Sequence, residues 1–341
     1  MSERGSPMVM KAAFHAGKRR LEVREVPVPE IANDECLLKT DACAICGSDV
    51  RWWVSEGTNK MQGHESVATV LRTGKHVSMV REGDRVVPYV MTGCGTCPFC
   101  IQGYYIYCPR ITGVTTGFAQ YQVFHERYLM PLPAGMRSEV ATLLGDTLGT
   151  PLRAVRKAEL RGGETVVVNG LGPLGLIAVQ ALVHSGAKII IGIDVLESRC
   201  ALAREFGAHV TLDARRVDVR AEVFRLTENL GAHVVLNAVN DDEATAMAFG
   251  LLRGGGRLVL IAGRCGTYGG QAGIKGQAER QVIGTFYFPR MEYEENLKLV
   301  ADGRINLERL VSHVYPLERI NEAFEARFGH PDDSLKVVIT L

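Results

Sequence analysis

The chain carries little net charge and contains no long apolar run. Its 39 Lys and Arg residues are balanced by 38 Asp and Glu residues, so the 341-residue chain has a formal net charge of +1 at pH 7. A near-neutral chain without a basic stripe does not attract nucleic acid or an anionic membrane. No apolar run reaches the roughly 18 residues that a membrane-spanning helix needs. We therefore expect neither nucleic acid nor a membrane as a partner.

The first residues, MSERGSPMVMK, also lack the apolar core of a secretory signal. We therefore expect a cytoplasmic protein in a reducing compartment, where structural disulfides are rare. Against that background, the nine cysteines of the chain indicate metal binding or thiol chemistry.

The pattern of apolar residues changes near residue 150. Before it, short runs such as LLKTDA and SVATVLR are separated by Gly, Pro and Asp, which is typical of a β-rich domain. From about residue 160, buried-strand patterns such as ETVVVNG and KIIIGID alternate with helical patterns. This alternation predicts an α/β fold with a doubly wound parallel sheet.

The segment GCGTCPFCIQGYYIYC concentrates four thiols in the spacing C-x2-C-x2-C-x7-C. Short C-x2-C turns present two sulfurs to one ion, and four thiolates close a tetrahedral zinc site against substrate. We therefore interpret residues 93–109 as a structural zinc lobe. Disulfides, a redox pair and an iron–sulfur cluster are the alternatives. The candidate ligands are Cys94, Cys97, Cys100 and Cys108.

A second, open metal site is suggested by Cys46 in CAICGSD and by His64 in GHES. A catalytic zinc takes about three mixed Cys, His and carboxylate ligands and keeps one position open. Cys46, His64 and one carboxylate, such as Glu65, would supply them. Each piece alone is weak evidence, because a single cysteine or a His-Glu pair is common in protein cores.

The segment VVVNGLGPLG contains a G-x-G-x-x-G pattern between a strand pattern and a helix pattern, the context of a dinucleotide-binding loop. Its glycines permit a tight turn and close approach of a pyrophosphate to the helix N-terminus. The next strand pattern ends at Asp194, where an acidic side chain accepts from ribose hydroxyls and favours NAD over NADP. A simple turn residue is the alternative for Asp194. The candidate loop residues are Gly170, Gly172, Pro173, Leu174 and Gly175.

In their order along the chain, these motifs resemble the zinc-containing medium-chain dehydrogenases, the family of alcohol, sorbitol and threonine dehydrogenases. The resemblance covers nearly the whole chain and rests on CGSD, GHE, EGDRV, the four-cysteine lobe, GFAQY, the glycine loop and LVSHVYPLERINEAFE. The tail and CGSDVRWW look closest to the sorbitol dehydrogenase branch. The resemblance implies a Rossmann NAD-binding domain, residues 152–285, inserted into a GroES-like catalytic domain formed by residues 1–151 and 286–341.

The resemblance also implies roles for individual residues. Cys46 and His64 become ligands of a catalytic zinc, and the third ligand, which varies within the family, falls on Asp146 or Glu65. We favour Asp146 with Glu65 close by; a helix N-cap is the alternative for Asp146. Ser48 would accept the substrate's hydroxyl proton, with turn chemistry as its alternative. Arg199 lines the adenosine pocket or lies on a solvated helix face.

The implied reaction is NAD-linked oxidation of a secondary alcohol or polyol to the ketone, with two zinc ions per chain. A small-molecule alcohol or ketone is then the partner, and the chain is a homo-oligomer, a tetramer rather than a dimer. A zinc-dependent aldehyde or ketone reductase is the alternative, since hydride transfer is reversible. A non-catalytic zinc protein and a zinc-free quinone reductase are further alternatives.

Two positions depart from the family. A histidine that passes the proton to solvent in much of the family is replaced by Arg51, and arginine is not deprotonated in proteins. We interpret Arg51 as a contact to the cofactor pyrophosphate or an anionic substrate group, or as a solvated side chain. Sorbitol dehydrogenases carry an arginine where GTFYFPR has Tyr287, which favours a less hydroxylated alcohol. The aromatic residues Trp52, Trp53, Phe118 and Tyr287 line the substrate pocket or belong to the core.

The purified chain is predicted to hold two zinc ions, one in each candidate site. Metal analysis against protein concentration measures this number, and a single zinc would favour the non-catalytic alternative.

Chelation is expected to increase proteolysis within residues 93–109, because the metal folds that loop. Unchanged proteolysis after complete removal of the metal would contradict the structural zinc lobe.

Overall fold

The computed structural model describes residues 9–263 and 278–341. The strands are β1 (Val9–His15), β2 (Leu21–Pro27), β3 (Glu35–Ala44), β4 (Glu65–Thr73), β5 (Arg85–Pro88), β6 (Met91–Thr92), β7 (Thr112–Gly113), β8 (Tyr121–His125), β9 (Leu129–Pro131), β10 (Thr165–Asn169), β11 (Ile189–Asp194), β12 (Val210–Asp213), β13 (Ala232–Asn237), β14 (Leu252–Leu260), β15 (Gln281–Gly284), β16 (Val311–Pro316) and β17 (Lys336–Thr340). The helices are α1 (Val50–Trp53), α2 (Pro98–Ile101), α3 (Ser138–Ala141), α4 (Asp146–Lys157), α5 (Pro173–Val183), α6 (Glu197–Glu205), α7 (Val219–Leu226), α8 (Asp242–Gly250), α9 (Tyr293–Ala301) and α10 (Ile320–Gly329). Within the described residues, no helix has both the length and the apolar character needed to cross a membrane.

The chain divides into two compact units. The first unit contains the residues up to Thr147, Pro289–Tyr293 and Leu307–Leu341, and the second contains Leu148–Phe288 and Glu294–Asn306. The chain passes from the first unit to the second after Thr147 and returns after Phe288. The predicted domain ranges of 1–151, 152–285 and 286–341 place these two boundaries a few residues away.

The largest difference is the segment Glu294–Asn306, which belongs to the second unit rather than to a continuous C-terminal block. Its contacts explain this: Arg156 donates a 2.7 Å hydrogen bond to the side chain of Asn296. The backbone amide of Asn306 donates a 2.6 Å hydrogen bond to the side chain of Gln180. Both anchors are side-chain contacts over long sequence separations, which a local pattern does not reveal.

The first unit contains a seven-stranded sheet in the order β16, β17, β3, β4, β5 and β9, with β8 also paired to β3. The central strand β3 is buried at most positions, as expected for a strand with neighbours along both edges. In this sheet Ala44 of β3 lies opposite Glu65 of β4 and opposite Val338 of β17. The end of β3, the start of β4 and the middle of β17 therefore lie side by side just before Cys46.

Aromatic side chains pack on Phe324 of α10 in the same unit. The ring centroids of Trp52, Trp53 and Phe118 lie 5.3, 5.8 and 5.8 Å from that of Phe324. Trp53 is 2% exposed and Phe118 is fully buried, so both belong to the core.

The second unit contains a parallel six-stranded sheet in the order β12, β11, β10, β13, β14 and β15. The strand sequences TVVVN and IIIGID are almost entirely buried, as parallel strands covered on both faces are. The chain runs outward from β10 and then returns to β13, so the strand order reverses at the carboxyl end of β10. The predicted doubly wound parallel sheet is confirmed, and its ligand-binding edge follows β10.

Candidate active site

Four potential metal ligands gather where the central strands of the first unit end. Cys46 follows β3, His64 and Glu65 stand at the start of β4, and Asp146 begins α4. One donor atom from each of these residues lies within 4.8 Å of the others. The structure thus brings together all four residues that the sequence proposed for the open metal site.

Two of these donors lie close to a carboxylate oxygen of Asp146. The Nε2 atom of His64 lies 3.5 Å and the Sγ atom of Cys46 lies 4.0 Å from Oδ2 of Asp146. Burial disfavours the charged imidazole, but Asp49, Cys46 and Asp146 together raise the pKa of His64 well above its usual value. Without a metal the cluster therefore retains a proton on His64, which a bound cation would displace.

Asp49 orients His64 from its other side, a role that the sequence analysis did not assign. Its Oδ1 atom lies 3.5 Å from Nδ1 of His64 and accepts a 3.0 Å hydrogen bond from the indole of Trp52. Its Oδ2 atom accepts a 2.9 Å bond from the backbone amide of Cys46. A carboxylate behind a metal-ligating histidine fixes the tautomer and the ring orientation. The sequence pattern that could have indicated this role is the aspartate at the end of the CGSD motif.

Both carboxylate oxygens of Glu65 have partners in the protein. Oε1 accepts a 2.7 Å hydrogen bond from the hydroxyl of Thr147, and Oε2 pairs with the ammonium of Lys336. Burial opposes the charge on Lys336, yet Glu65 and the neighbouring anionic groups raise its pKa. Thr147 and Lys336 were missed by the sequence analysis, because they lie 82 and 271 residues from Glu65.

Ser48 brings a hydroxyl to the exposed side of this cluster. Its Oγ donates a 3.3 Å hydrogen bond to Sγ of Cys46, which is itself only 6% exposed. Ser48 is exposed, as is Arg51 in α1. A small molecule can therefore approach the buried thiol past a hydroxyl group.

The donor chemistry of this cluster fits zinc. A thiolate, an imidazole and a carboxylate are the mixed ligands of open zinc sites, which keep one position for water or substrate. The buried carboxylates beside the thiol of Cys46 also favour a divalent cation.

The four-cysteine lobe fits a closed zinc site. The sulfur atoms of its cysteines lie within 4.8 Å of one another, and the cysteines that the structure describes are free thiols. The backbone amides of Cys94 and Arg110 each donate a 3.3 Å hydrogen bond to Sγ of Cys108 and lower its pKa. Hydrogen bonds from Thr96 lower the pKa of Cys94 to about 5. Hydrogen-bond donors thus favour the thiolate form of Cys94 and Cys108, whereas burial raises the pKa of Cys100 to about 12.

The glycine loop of the second unit leaves space beside a helix N-terminus. Gly170 has φ +91°, and a Cβ atom on Gly175 would lie 1.9 Å from the carbonyl oxygen of Gly170. A Cβ atom on Gly172 would meet no protein atom within 4 Å. Helix α5 begins at Pro173, directly after Gly172, and has no side-chain cap. Gly170 and Gly175 thus shape the turn, whereas Gly172 leaves room for a ligand such as a pyrophosphate.

Asp194 ties this loop to the end of β11. Its Oδ2 accepts a 2.7 Å hydrogen bond from the amide of Leu171, and its Oδ1 accepts from Val195 and Leu196 at 2.8 and 3.0 Å. Since a carboxylate has about four acceptor sites, one remains for a ligand hydroxyl. Nη1 of Arg199 lies 3.8 Å from Oδ2 of Asp194 with its side chain 16% exposed, so Arg199 does not lie on a solvated face.

Comparisons with known proteins agree with both units. Residues 32–134 match the alcohol dehydrogenase GroES-like domain, and residues 173–302 match the zinc-binding dehydrogenase family. The predicted GroES-like domain is thereby confirmed.

Similar proteins extend over almost the whole chain. A sorbitol dehydrogenase of Bacillus subtilis is 27% identical over 98% of both chains. An L-threonine 3-dehydrogenase of Bacillus velezensis is 31% identical over 89% of this chain and 91% of its own. The solved structure of an alcohol dehydrogenase from Thermus sp. ATN1 has a TM-score of 0.86 and 27% identity, covering 97% of this chain and all of that one.

Gly172→Ala is predicted to weaken dinucleotide binding, and Gly175→Ala is predicted to lower the stability of the fold. The alanine at 172 meets no protein atom, so the free energy of unfolding should change by less than about 0.5 kcal/mol while dinucleotide binding weakens. The alanine at 175 is driven into the carbonyl of Gly170 and should destabilise the fold by about 1–3 kcal/mol. Thermal unfolding and NADH titration measure the two effects. Equal loss of stability in both variants would contradict the assigned roles.

Proposed function

The chain belongs to the zinc-containing medium-chain dehydrogenases, and on that premise we propose an NAD-linked enzyme that oxidises a secondary alcohol or polyol to the ketone. The observation that carries the proposal is the cluster of Cys46, His64 and two carboxylates next to the exposed hydroxyl of Ser48. The names of two relatives support the substrate class, since sorbitol is a polyol and the 3-hydroxyl of threonine is a secondary alcohol.

Cys46, His64 and Asp146 are the residues proposed to hold the catalytic zinc, with Glu65 beside them. The chemistry that zinc supplies there is Lewis-acid polarisation of a substrate oxygen, which makes a hydroxyl more acidic. Asp49 keeps the ring of His64 oriented and, through the amide of Cys46, fixes the turn that carries the thiolate. The four cysteines of the lobe are proposed to hold a second zinc that stabilises the fold.

Ser48 is proposed to act as a relay: its Oγ atom accepts the proton of the substrate hydroxyl while the hydroxyl's own proton passes to a solvent water. The side chain is exposed, so this transfer needs no further side chain. This removes the need for the family's histidine at the position of Arg51. We propose that the exposed guanidinium of Arg51 instead contacts the cofactor pyrophosphate or an anionic group of the substrate.

The second unit is proposed to bind NAD, whose nicotinamide accepts the hydride. The space at Gly172 and the N-terminus of α5 receive the pyrophosphate, and Asp194 accepts from a ribose hydroxyl. The carboxylate charge of Asp194 disfavours a 2′-phosphate and therefore NADP.

A substrate with fewer hydroxyl groups than sorbitol is proposed because Tyr287 stands where sorbitol dehydrogenases carry an arginine. The side chain of Tyr287 is 4% exposed and stacks on Phe288 with a centroid distance of 4.8 Å. A phenol offers one polar atom, whereas the arginine of sorbitol dehydrogenases offers five donors. From the family resemblance we also propose a cytoplasmic homo-oligomer, a tetramer rather than a dimer.

The zinc-replete protein is expected to form NADH with at least one secondary alcohol. The panel contains polyols, amino-alcohols, simple secondary alcohols and acidic sugars, and the ketones are tested with NADH in the reverse direction. Ser48→Ala should lower kcat by about 100- to 10,000-fold, because the proton acceptor is lost. Ser48→Thr keeps a hydroxyl and serves as the matched control. Inactivity on the whole panel, with two zinc ions bound, would count against this substrate class.

Asp194→Ser is expected to shift cofactor preference from NAD towards NADP. Losing a charged acceptor is worth about 1.5–3 kcal/mol, so the ratio of kcat/KM for NAD to that for NADP should fall about 10- to 100-fold. The ratio is the informative quantity, because Asp194 also ties down the glycine loop and its loss weakens both cofactors. Asp213 lies opposite Asp194 on β12, so Asp213→Ser is a matched control with a smaller effect. An unchanged ratio in Asp194→Ser would argue against its role in cofactor selection.

A further inference from the structure

We propose that Asn237 is a positioning residue that, together with Asn169, holds the segments that receive the nicotinamide half of NAD. This inference rests on the proposed function, which places NAD in the second unit. Asn169 and Asn237 end the neighbouring strands β10 and β13 and lie opposite each other in the parallel sheet. The strand order reverses at this point, so the two halves of a dinucleotide lie on opposite sides of it.

The adenosine half belongs to the β11 side, because Asp194 at the end of β11 is the proposed acceptor for a ribose hydroxyl. The nicotinamide half then falls to the segments that follow β13 and β14. These segments begin at Ala238 and Ile261. Their positions decide where the nicotinamide ring can lie.

A single amide group contacts both of these segments. Nδ2 of Asn237 lies 2.9 Å from the carbonyl oxygen of Val239 and 3.1 Å from that of Ala262. The hydroxyl of Thr245 in α8 lies 3.2 Å from the same nitrogen. The backbone carbonyl of Asn237 accepts hydrogen bonds from the amides of Ile261 and Ala262 at 2.9 and 3.0 Å. One residue therefore links the segment after β13 to the segment after β14.

Asn169 fixes the direction in which this amide group points. Its Nδ2 atom donates a 2.8 Å hydrogen bond to Oδ1 of Asn237 and lies 3.3 Å from the carbonyl oxygen of Ala244. A carboxamide has one acceptor end and one donor end. Since the acceptor end of Asn237 is engaged by Asn169, its donor end is turned to the carbonyls of the two segments.

Burial makes this arrangement difficult to change. Asn169 is 3% exposed, and Asn237 and Thr245 are fully buried. A buried polar group that loses its partner has no water to replace it, so each of these contacts is strongly favoured. Aliphatic side chains would suit the ends of two buried parallel strands equally well. The two amides are therefore explained by the segments that they hold and not by the packing of the sheet.

The test compares NADH with ADP-ribose, which has the same adenosine and pyrophosphate groups but no nicotinamide. Asn237→Val removes the donor to Val239 and Ala262 and is expected to weaken NADH binding about 10- to 100-fold. ADP-ribose binding should change less than about threefold, because Asp194 and the glycine loop lie apart from the lost contacts. Calorimetric titration measures both affinities, and the emission of bound NADH reports the surroundings of the nicotinamide.

Thr245→Val is a milder variant that keeps nearly the same side-chain shape and removes one acceptor of the Asn237 amide. It is expected to weaken NADH binding about two- to tenfold and to leave ADP-ribose binding unchanged. Thr227→Val is the matched control, because Thr227 is a buried threonine before the other end of β13. Its hydroxyl contacts the carbonyl of Val223 and the amide of Gly231. This control should lower the thermal stability and leave the ratio of the two affinities unchanged.

Equal weakening of NADH and ADP-ribose in Asn237→Val and Thr245→Val would show a purely structural role and overturn the inference. A folded Asn237→Val protein that binds NADH as tightly as the wild type would also overturn it. If the wild-type protein binds neither NADH nor ADP-ribose, the proposed function itself fails, and the inference fails with it.

Discussion

The pairing of β3 with β4 on one edge and with β17 on the other determines the geometry of the metal site. Ala44 lies opposite Glu65 and Val338, and the same antiparallel register extended by two residues puts Lys336 opposite Cys46. A one-residue slip in either pairing would turn these side chains to the other face of the sheet. The buried ion pair, the thiolate and the histidine thus depend on hydrogen bonds of the backbone before any side-chain contact is made.

The sequence predicts the residues whose chemistry is carried by short spacings. The four cysteines, the glycine loop, and the order of CGSD and GHE are local patterns with a chemical reason, and the structure gathers each group. The sequence does not predict the roles of Lys336 and Thr147, because their contacts with Glu65 join elements that are far apart in the chain. For the same reason the sequence leaves Asp146 and Glu65 nearly equivalent, whereas in the structure Glu65 pairs with Lys336 and Asp146 faces His64 and Cys46. The place of Glu294–Asn306 in the second unit is hidden from the sequence for the same reason, since long-range contacts of Arg156 and Gln180 hold this segment.

Asp194 shows how one residue combines a structural and a binding role. The sequence predicts an acceptor for a ribose hydroxyl or, alternatively, a turn residue. The structure shows three backbone amides on its carboxylate, one of them from the glycine loop itself. The two interpretations are therefore compatible, because the contacts that hold the loop in place also orient the remaining acceptor site.

The two candidate zinc sites balance negative charge by different means, and this difference suits their different roles. In the lobe, two backbone amides bond to the sulfur of Cys108 and so favour its thiolate form. In the open site, Lys336 neutralises Glu65, and the charges of Cys46 and Asp146 remain to match a dication. Asp49 adds a further buried carboxylate behind His64, so negative charge remains beside the site when a dication is bound. In the proposed reaction, an alcohol that gave up its proton there would add negative charge in a buried setting, and the exposed hydroxyl of Ser48 is the proposed route by which the proton leaves.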